Sequence, residues 1–224
     1  MELGSIIRLL VLAAIWGASF LFMRIAVPEL GPAWLMFGRV LLAATFLALV
    51  ALLLKRGLSL RQYAGHFILL SFFNTALPFL LFAYAAQTLT ASLLAVLNAT
   101  APLWGALIGW LFFRQKMTAK LALGLILGVS GVSILVGFDA VIANSEAIPA
   151  VAAAAAAACC YGIATWYTRM AKPVPAFQNA HGSMWTSALM LAPVMLLFPI
   201  QADISLNVAA AVLALGVICT GVAY

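Results

Sequence analysis

Eight apolar runs, most of them near the length of a membrane span, follow one another along this 224-residue chain. A helix needs about 20 apolar residues to cross the hydrocarbon core of a bilayer. Only 7% of the residues are charged and 67% are hydrophobic, and a soluble fold could not cover so much apolar surface. We therefore predict an all-α integral membrane protein and exclude a soluble domain, a disordered chain and a nucleic-acid binder. The runs comprise seven full spans and one partial span: 5–27, 31–54, 63–87, 90–113, 119–138, 147–169, 176–198 and 207–224.

Charged residues alternate between the loops of this predicted bundle. The loops after the second, fourth and sixth spans hold 8 of the 11 basic residues, and the other loops hold 4 of the 5 acids. Because basic loops stay in the cytoplasm, we predict a multi-pass protein of the bacterial inner membrane with a cytoplasmic N-terminus. The three cysteines have no metal-ligand spacing. We expect no metal, no cofactor and no enzymatic activity.

An internal repeat is visible when the chain is shifted on itself by 145 residues. The matches include an aromatic-Gly pair, an arginine, a proline and a distant threonine: Trp16 with Tyr161, Gly17 with Gly162, Arg24 with Arg169, Pro28 with Pro173, and Thr75 with Thr220. The first unit, 1–138, would hold five helices, so the second would enter the membrane from the opposite side. Such inverted repeats are typical of secondary transporters. We predict a ten-helix architecture, of which about eight helices are present because the second unit, 147–224, is incomplete at its C-terminus.

The chain also resembles a known family, through short motifs whose order and spacing are specific. The motifs are Trp16-Gly17-Ala18-Ser19-Phe20, Arg39, Ala83-Tyr84, Ala91-Ser92, Ala101-Pro102-Leu103, and Gly124, Gly128, Gly131 with Val132. In these the chain resembles the EamA-type members of the drug/metabolite transporter (DMT) superfamily. The resemblance implies two five-helix repeats and export of small metabolites, amino acids or drugs. Gln115 stands where members often carry a glutamate, so no role of that acid is transferred.

Two prolines in the third and fourth spans each follow an asparagine by four residues. Pro78 follows Asn74, and Pro102 follows Asn98. A helical proline removes an N–H and clashes with the carbonyl four residues back. Freed polar groups at membrane depth are tolerated where they are buried in protein or line a wet cavity. We therefore predict hinges at both prolines and cavity-lining asparagines, with plain kinks and interhelical bonds as the alternative.

Arg39 is the sharpest single signal of a binding site, because a charged arginine inside a span is costly. No acid lies in any predicted span, so it must meet backbone carbonyls, water or an anionic substrate. At the helical rise, Arg39 and Asn98 lie roughly 12 Å inside their spans, Trp16 about 16 Å and Asn74 about 20 Å. The residues Trp16, Ser19, Phe20 and Met23 share one helix face by their spacing, with helix packing as the alternative explanation. The predicted substrate-binding residues are Trp16, Ser19, Phe20, Arg39, Asn74, Tyr84 and Asn98, with Tyr84 taken from the family motif.

Glycines on the fifth span predict close helix packing. Gly124 and Gly128 form a G-x-x-x-G pair, and Gly131 follows one turn later. Small residues let membrane helices approach closely. The pattern favours packing within the chain, and a homodimer seam is the alternative.

Two functions other than transport compete with this interpretation. An intramembrane serine protease of the rhomboid type could use Ser130 in Gly128-Val129-Ser130-Gly131 with His181 as base. The two residues differ in predicted depth by roughly 9 Å, which disfavours hydrogen-bond reach. A non-transporting membrane scaffold would need no central polar cluster. We therefore predict an alternating-access exporter whose partners are the lipid bilayer and a small metabolite or amino acid.

Overall fold

The structure, a computed structural model, describes residues 3–58, 60–137, 147–200 and 203–223. Every regular element in these ranges is helical. Five helices are long and apolar enough to cross a membrane, and two shorter apolar helices lie at Ala119–Ile134 and Leu206–Val222. The α-helices are α1 (Leu3–Leu53), α2 (Leu60–Ser71), α3 (Leu77–Ala85), α4 (Ala91–Asn98), α5 (Ala101–Phe113), α6 (Ala119–Gly137), α7 (Ala147–Met170), α8 (Ala176–Leu197) and α9 (Leu206–Leu213). Two π-helical segments are π1 (Phe72–Ala76) and π2 (Ala214–Val222). The prediction of an all-α membrane protein is confirmed.

The first two predicted spans form one helical run, α1, that bends sharply at Gly31. This glycine has φ 72° and ψ 164°, and Pro32 follows it. A straight helix would separate Phe20 from Arg39 by roughly 28 Å, yet both side chains line one cavity. The chain therefore folds back at Gly31, and α1 is a hairpin of two antiparallel membrane helices.

The third and fourth predicted spans are each interrupted near their proline. The π1 segment lies between α2 and α3, and Pro78 stands in the first turn of α3. The fourth span breaks after Asn98, and Pro102 stands in the first turn of α5. At that break the Thr100 hydroxyl donates to the Leu97 carbonyl oxygen at 2.6 Å. Both irregularities fall where a proline removes a backbone donor.

Polar contacts at the Gly31 end of the bundle join the hairpin to its neighbours. The Glu29 carboxylate accepts hydrogen bonds from the backbone N–H of Ser205 at 2.8 Å and from its hydroxyl at 3.0 Å. Ser205 in turn caps α9 by accepting from the Val208 N–H. Arg24 Nη1 donates to the Ala86 and Gln87 carbonyl oxygens, both at 2.7 Å. The hairpin thereby holds the end of α3 and the start of α9.

A different polar cluster joins α2, α7 and α8 at the opposite end. His66 Nδ1 lies 3.0 Å from the Tyr167 hydroxyl, and His66 Nε2 lies 3.0 Å from Asn179 Oδ1. The His66 and Tyr167 rings also stack at 5.4 Å. This cluster ties the N-terminal segment, 3–137, to the C-terminal segment, 147–223.

Glycine lets α7 lie against α5 at backbone distance. A Cβ added at Gly162 would meet the Gly105 nitrogen at 2.9 Å and the Trp104 carbonyl carbon at 3.0 Å. Of the three glycines predicted to pack on the fifth span, Gly128 makes a close approach, to Leu103 of α5. A Cβ at Gly124 or Gly131 would have no neighbour within 4 Å in the part of the chain that the structure describes. Asp139 and Glu146, two acids used to predict orientation, lie outside the described residues.

Substitution of Gly31 by alanine should destabilise the protein by about 1–3 kcal/mol, because the observed dihedral angles are accessible almost only to glycine. The measurement is thermal unfolding of the detergent-solubilised protein. Gly65→Ala is the matched control, since a Cβ there meets nothing within 4 Å. Equal melting temperatures for the two variants would contradict the hairpin geometry.

Candidate substrate cavity

A cavity of about 370 Å³ lies between the α1 hairpin, α3, α4, α7 and the π2 segment. This is within the range of pockets that hold small molecules. Its lining residues include five aromatic rings, two amides, three hydroxyls and one arginine. The N-terminal segment supplies Trp16, Ser19, Phe20, Met23, Arg39, Asn74, Phe79, Phe82, Asn98 and Ala101, and the C-terminal segment supplies Tyr161, Thr165 and Cys219.

Six of the seven predicted binding residues line this cavity: Trp16, Ser19, Phe20, Arg39, Asn74 and Asn98. Tyr84 does not, and 45% of its surface is exposed. Phe79 and Phe82 lie on the face of α3 that lines the cavity. Tyr84 is two residues beyond Phe82, which places it about 200° around the helix. The family motif located Tyr84 on the right helix but gave no information about its face.

Arg39 is almost completely buried, with 4% of its surface exposed. Its Nε donates to Thr220 Oγ1 at 2.8 Å, and its guanidinium carbon lies 3.9 Å from the centre of the Phe79 ring. An aromatic face attracts a cation electrostatically, and more strongly where water is excluded. The hydroxyl and the ring together orient the guanidinium at the cavity wall.

The π2 segment brings Thr220 to Arg39. The Thr220 hydroxyl accepts from Arg39 and donates to the Leu215 carbonyl oxygen, five residues back, at 2.8 Å. Gly216 allows this segment to approach the hairpin, because a Cβ there would lie 3.0 Å from the Arg39 carbonyl oxygen and closer still to Leu42. The contact thus depends on a glycine and a π turn on one segment and an arginine on the other.

Aromatic rings form a row along one wall of the cavity. Phe20 meets Phe82 edge to face at 5.4 Å between centroids, and Phe82 stacks on Tyr161 at 6.2 Å. These contacts link the first half of α1, α3 and α7. The rings give the cavity that also contains Arg39 an apolar wall.

Several lining residues were missed by the sequence analysis, although the repeat carries a signal for three of them. A shift of 145 residues carries Trp16 onto Tyr161, Phe20 onto Thr165 and Asn74 onto Cys219, and all six line the cavity. The same shift carries π1 onto 217–221, inside π2. The predicted repeat thus indicates the positions of Tyr161, Thr165 and Cys219. Of the remaining lining residues, Met23 shares a helix face with Trp16 by its spacing and Ala101 belongs to a family motif. Phe79 and Phe82 are ordinary apolar residues without a distinguishing pattern.

The residues of the protease alternative lie on helices with different neighbours. Ser130 is exposed on α6, which contacts α4 and α5. His181 is buried on α8, which contacts α1, α2 and π1, and its Nε2 accepts a hydrogen bond from Trp185 Nε1 at 3.0 Å. Among the described residues, no group of three or more His, Cys, Asp or Glu side chains could hold a metal ion.

Comparison with known proteins identifies the family. Residues 3–137, more than half of the chain, match the model of the EamA-like transporter family. The chain belongs to this family. No curated protein matches it significantly. Members of the EamA-like family are membrane transporters, in agreement with helices that are long and apolar enough to cross a membrane.

One solved crystal structure resembles the EamA-like chain over most of its length. The two superpose with a TM-score of 0.68 at 22% sequence identity, over 97% of this chain and 75% of the other. At this level of identity the likeness concerns the fold. The helical arrangement around the cavity is therefore one that a known protein also adopts.

Replacement of Thr220 by valine should lower stability, because it removes the hydroxyl bonded to the buried Arg39. Hydrogen bonds to charged groups contribute about 1.5–3 kcal/mol, and thermal unfolding in detergent would measure the loss. Thr45→Val is the matched control, since the exposed Thr45 hydroxyl donates to the Leu41 carbonyl oxygen of its own helix. A loss no larger than that of the control would show that Thr220 does not support Arg39.

Proposed function

We propose that this EamA-like transporter exports small metabolites or amino acids by alternating access, without enzymatic activity. The observation that carries the proposal is the cavity, which encloses a buried arginine, two asparagines and a row of aromatic rings. A membrane scaffold would need no such group of polar side chains. The chemistry of the walls suits a small substrate with an anionic group and an apolar portion.

Arg39 supplies the attraction for the anionic group of the substrate. Its guanidinium lines the cavity and is held by Thr220 and Phe79. An arginine fork can bind a carboxylate through two parallel hydrogen bonds. Asn74 and Asn98 supply amide groups for the polar parts of the substrate, and the wall formed by Phe20, Phe82 and Tyr161 takes its apolar part.

Two inverted repeats, 1–138 and 147–224, would move against each other around this cavity. Three pairs of lining residues and two π-helical segments related by one 145-residue shift support this division. A site between inverted repeats is reached from either membrane face when the repeats rock. Pro78 and Pro102, beside the two helix irregularities, would act as hinges.

The distribution of basic residues supports an inner-membrane location with a cytoplasmic N-terminus. A cysteine introduced at exposed Lys116 would test this orientation. It should react with a membrane-impermeant maleimide in inverted membrane vesicles and stay unlabelled in intact cells. Labelling in intact cells would show the opposite orientation.

Transport itself is tested by export from cells that express the full-length protein. Amino acids and small organic acids in the medium are quantified by mass spectrometry, with cells that carry an empty vector as reference. Faster appearance of one or more of these solutes supports the proposal. Export equal to the empty vector across the whole panel would contradict it.

Arg39→Leu should abolish export of anionic or zwitterionic substrates, and Arg39→Lys should retain part of it. Lysine keeps the charge but lacks the bidentate fork. The measurement is export per folded molecule, with folded protein quantified on a sizing column. Arg24→Leu is the control, because Arg24 binds the Ala86 and Gln87 carbonyls and does not line the cavity. Full export per folded Arg39→Leu molecule would leave Arg39 with a structural role only.

A further inference from the structure

A second cavity, of about 300 Å³, lies on the other side of α4 and shares no lining residue with the first. It is a crevice between the α4–α5 segment, α6 and α7. Nine of its eleven lining residues are apolar, and the other two are Thr100 and Ser133. The Thr100 hydroxyl already donates to the Leu97 carbonyl oxygen. The crevice therefore offers almost no polar group to a ligand.

The crevice opens toward the lipid. Val129 lines it and yet has 59% of its surface exposed. Its floor contains Ala155, one of seven consecutive alanines on α7, where a larger side chain would occupy the space. Gly128 and Leu103 are in contact and keep α6 beside α5. Residues of α5, α6 and α7 line the space beside this contact.

Basic residues lie in and next to the loop that joins α5 to α6, two of the helices that line the crevice. Arg114 ends α5 in a left-handed conformation, with φ 52°, and Lys116 and Lys120 follow before and at the start of α6. All three are exposed. The sequence between Phe113 and Leu121 contains no acid. This loop therefore presents a local positive charge at the surface of the membrane, on the side of the bundle where the crevice lies.

The depth of the crevice matches one lipid molecule anchored at this loop. Along the helices, Leu107 is seven residues from Arg114, roughly 10 Å, and Leu97 is a further 15 Å or so toward the other face. A lipid with its phosphate at the basic loop would have its glycerol and first methylenes beside Leu107. The rest of the acyl chain would then lie in the crevice.

We propose that this crevice binds one acyl chain of an anionic phospholipid whose phosphate contacts Arg114, Lys116 and Lys120. Basic residues attract anionic headgroups at the membrane surface, and the apolar walls disfavour a polar ligand. The bound lipid fills the space between α6 and its neighbours. This site is independent of the transport proposal, since it uses neither Arg39 nor any other residue of the first cavity.

The headgroup part of the proposal is tested with dioleoyl phosphatidylglycerol and dioleoyl phosphatidylcholine added to the delipidated full chain in detergent. Native mass spectrometry counts the bound lipids. Phosphatidylglycerol should bind more tightly, and the combined change Arg114→Gln, Lys116→Gln, Lys120→Gln should weaken it at least about tenfold, given roughly fivefold for each basic residue. The control removes equal charge elsewhere, by Lys55→Gln, Arg61→Gln and Lys172→Gln.

The acyl-chain part is tested by filling the crevice. Ala155→Leu should reduce the binding of both lipids, whereas Ala156→Leu, one residue along on an exposed position of α7, should not. Ser133→Leu fills the crevice from α6 and serves if Ala155→Leu does not fold, as judged by elution from a sizing column. Equal binding of the two lipids, equal loss in the two charge variants, or unchanged binding in the filled variants would overturn the proposal.

Discussion

A guanidinium buried in a membrane-spanning bundle must be solvated by the protein itself, and much of the cavity follows from that requirement. The predicted spans hold no carboxylate to neutralise Arg39. The charge is met instead by the Thr220 hydroxyl and the face of Phe79. Both partners must lie close to the hairpin, so π2 approaches through Gly216 and α3 turns its aromatic face inward. The space left between the hairpin, α3 and π2 is a cavity with a positively charged residue in its wall.

Contacts between the N-terminal and C-terminal segments are of two kinds. At each end of the bundle they are polar and local, as between Glu29 and Ser205 or between His66 and Asn179. In the middle they surround the cavity, where Arg39 meets Thr220 across the two segments. Neither segment alone could therefore form the arginine site. The two sets of end contacts lie at opposite ends of the bundle.

Much of the fold could be predicted from the sequence, because the length of each apolar run predicts a membrane-spanning helix. The seventh predicted span, 176–198, differs by a single residue from α8, Ala176–Leu197. The grouping of six candidate residues at one cavity could also be predicted, because the helical rise gives the depth of each residue in its span. The sequence did not predict which way each side chain faces or which residues contact each other. Tyr84 and Gly124 lie on the expected helices but face away from the expected contacts, and Thr220 meets Arg39 only through a π turn that no sequence period reveals.

The π turns give the cavity wall a mechanical property. A π turn accommodates one more residue than the α-helical turn it replaces, and it survives where neighbouring contacts hold it. Removing that residue would rotate everything beyond it by about 100° and shorten the helix by about 1.5 Å. Asn74 and Cys219, one in each π segment, would then turn away from the cavity together with the residues that follow them. The set of side chains that faces the cavity therefore depends on one additional residue in each π segment. A shift of either π turn along its helix would change which side chains face the cavity.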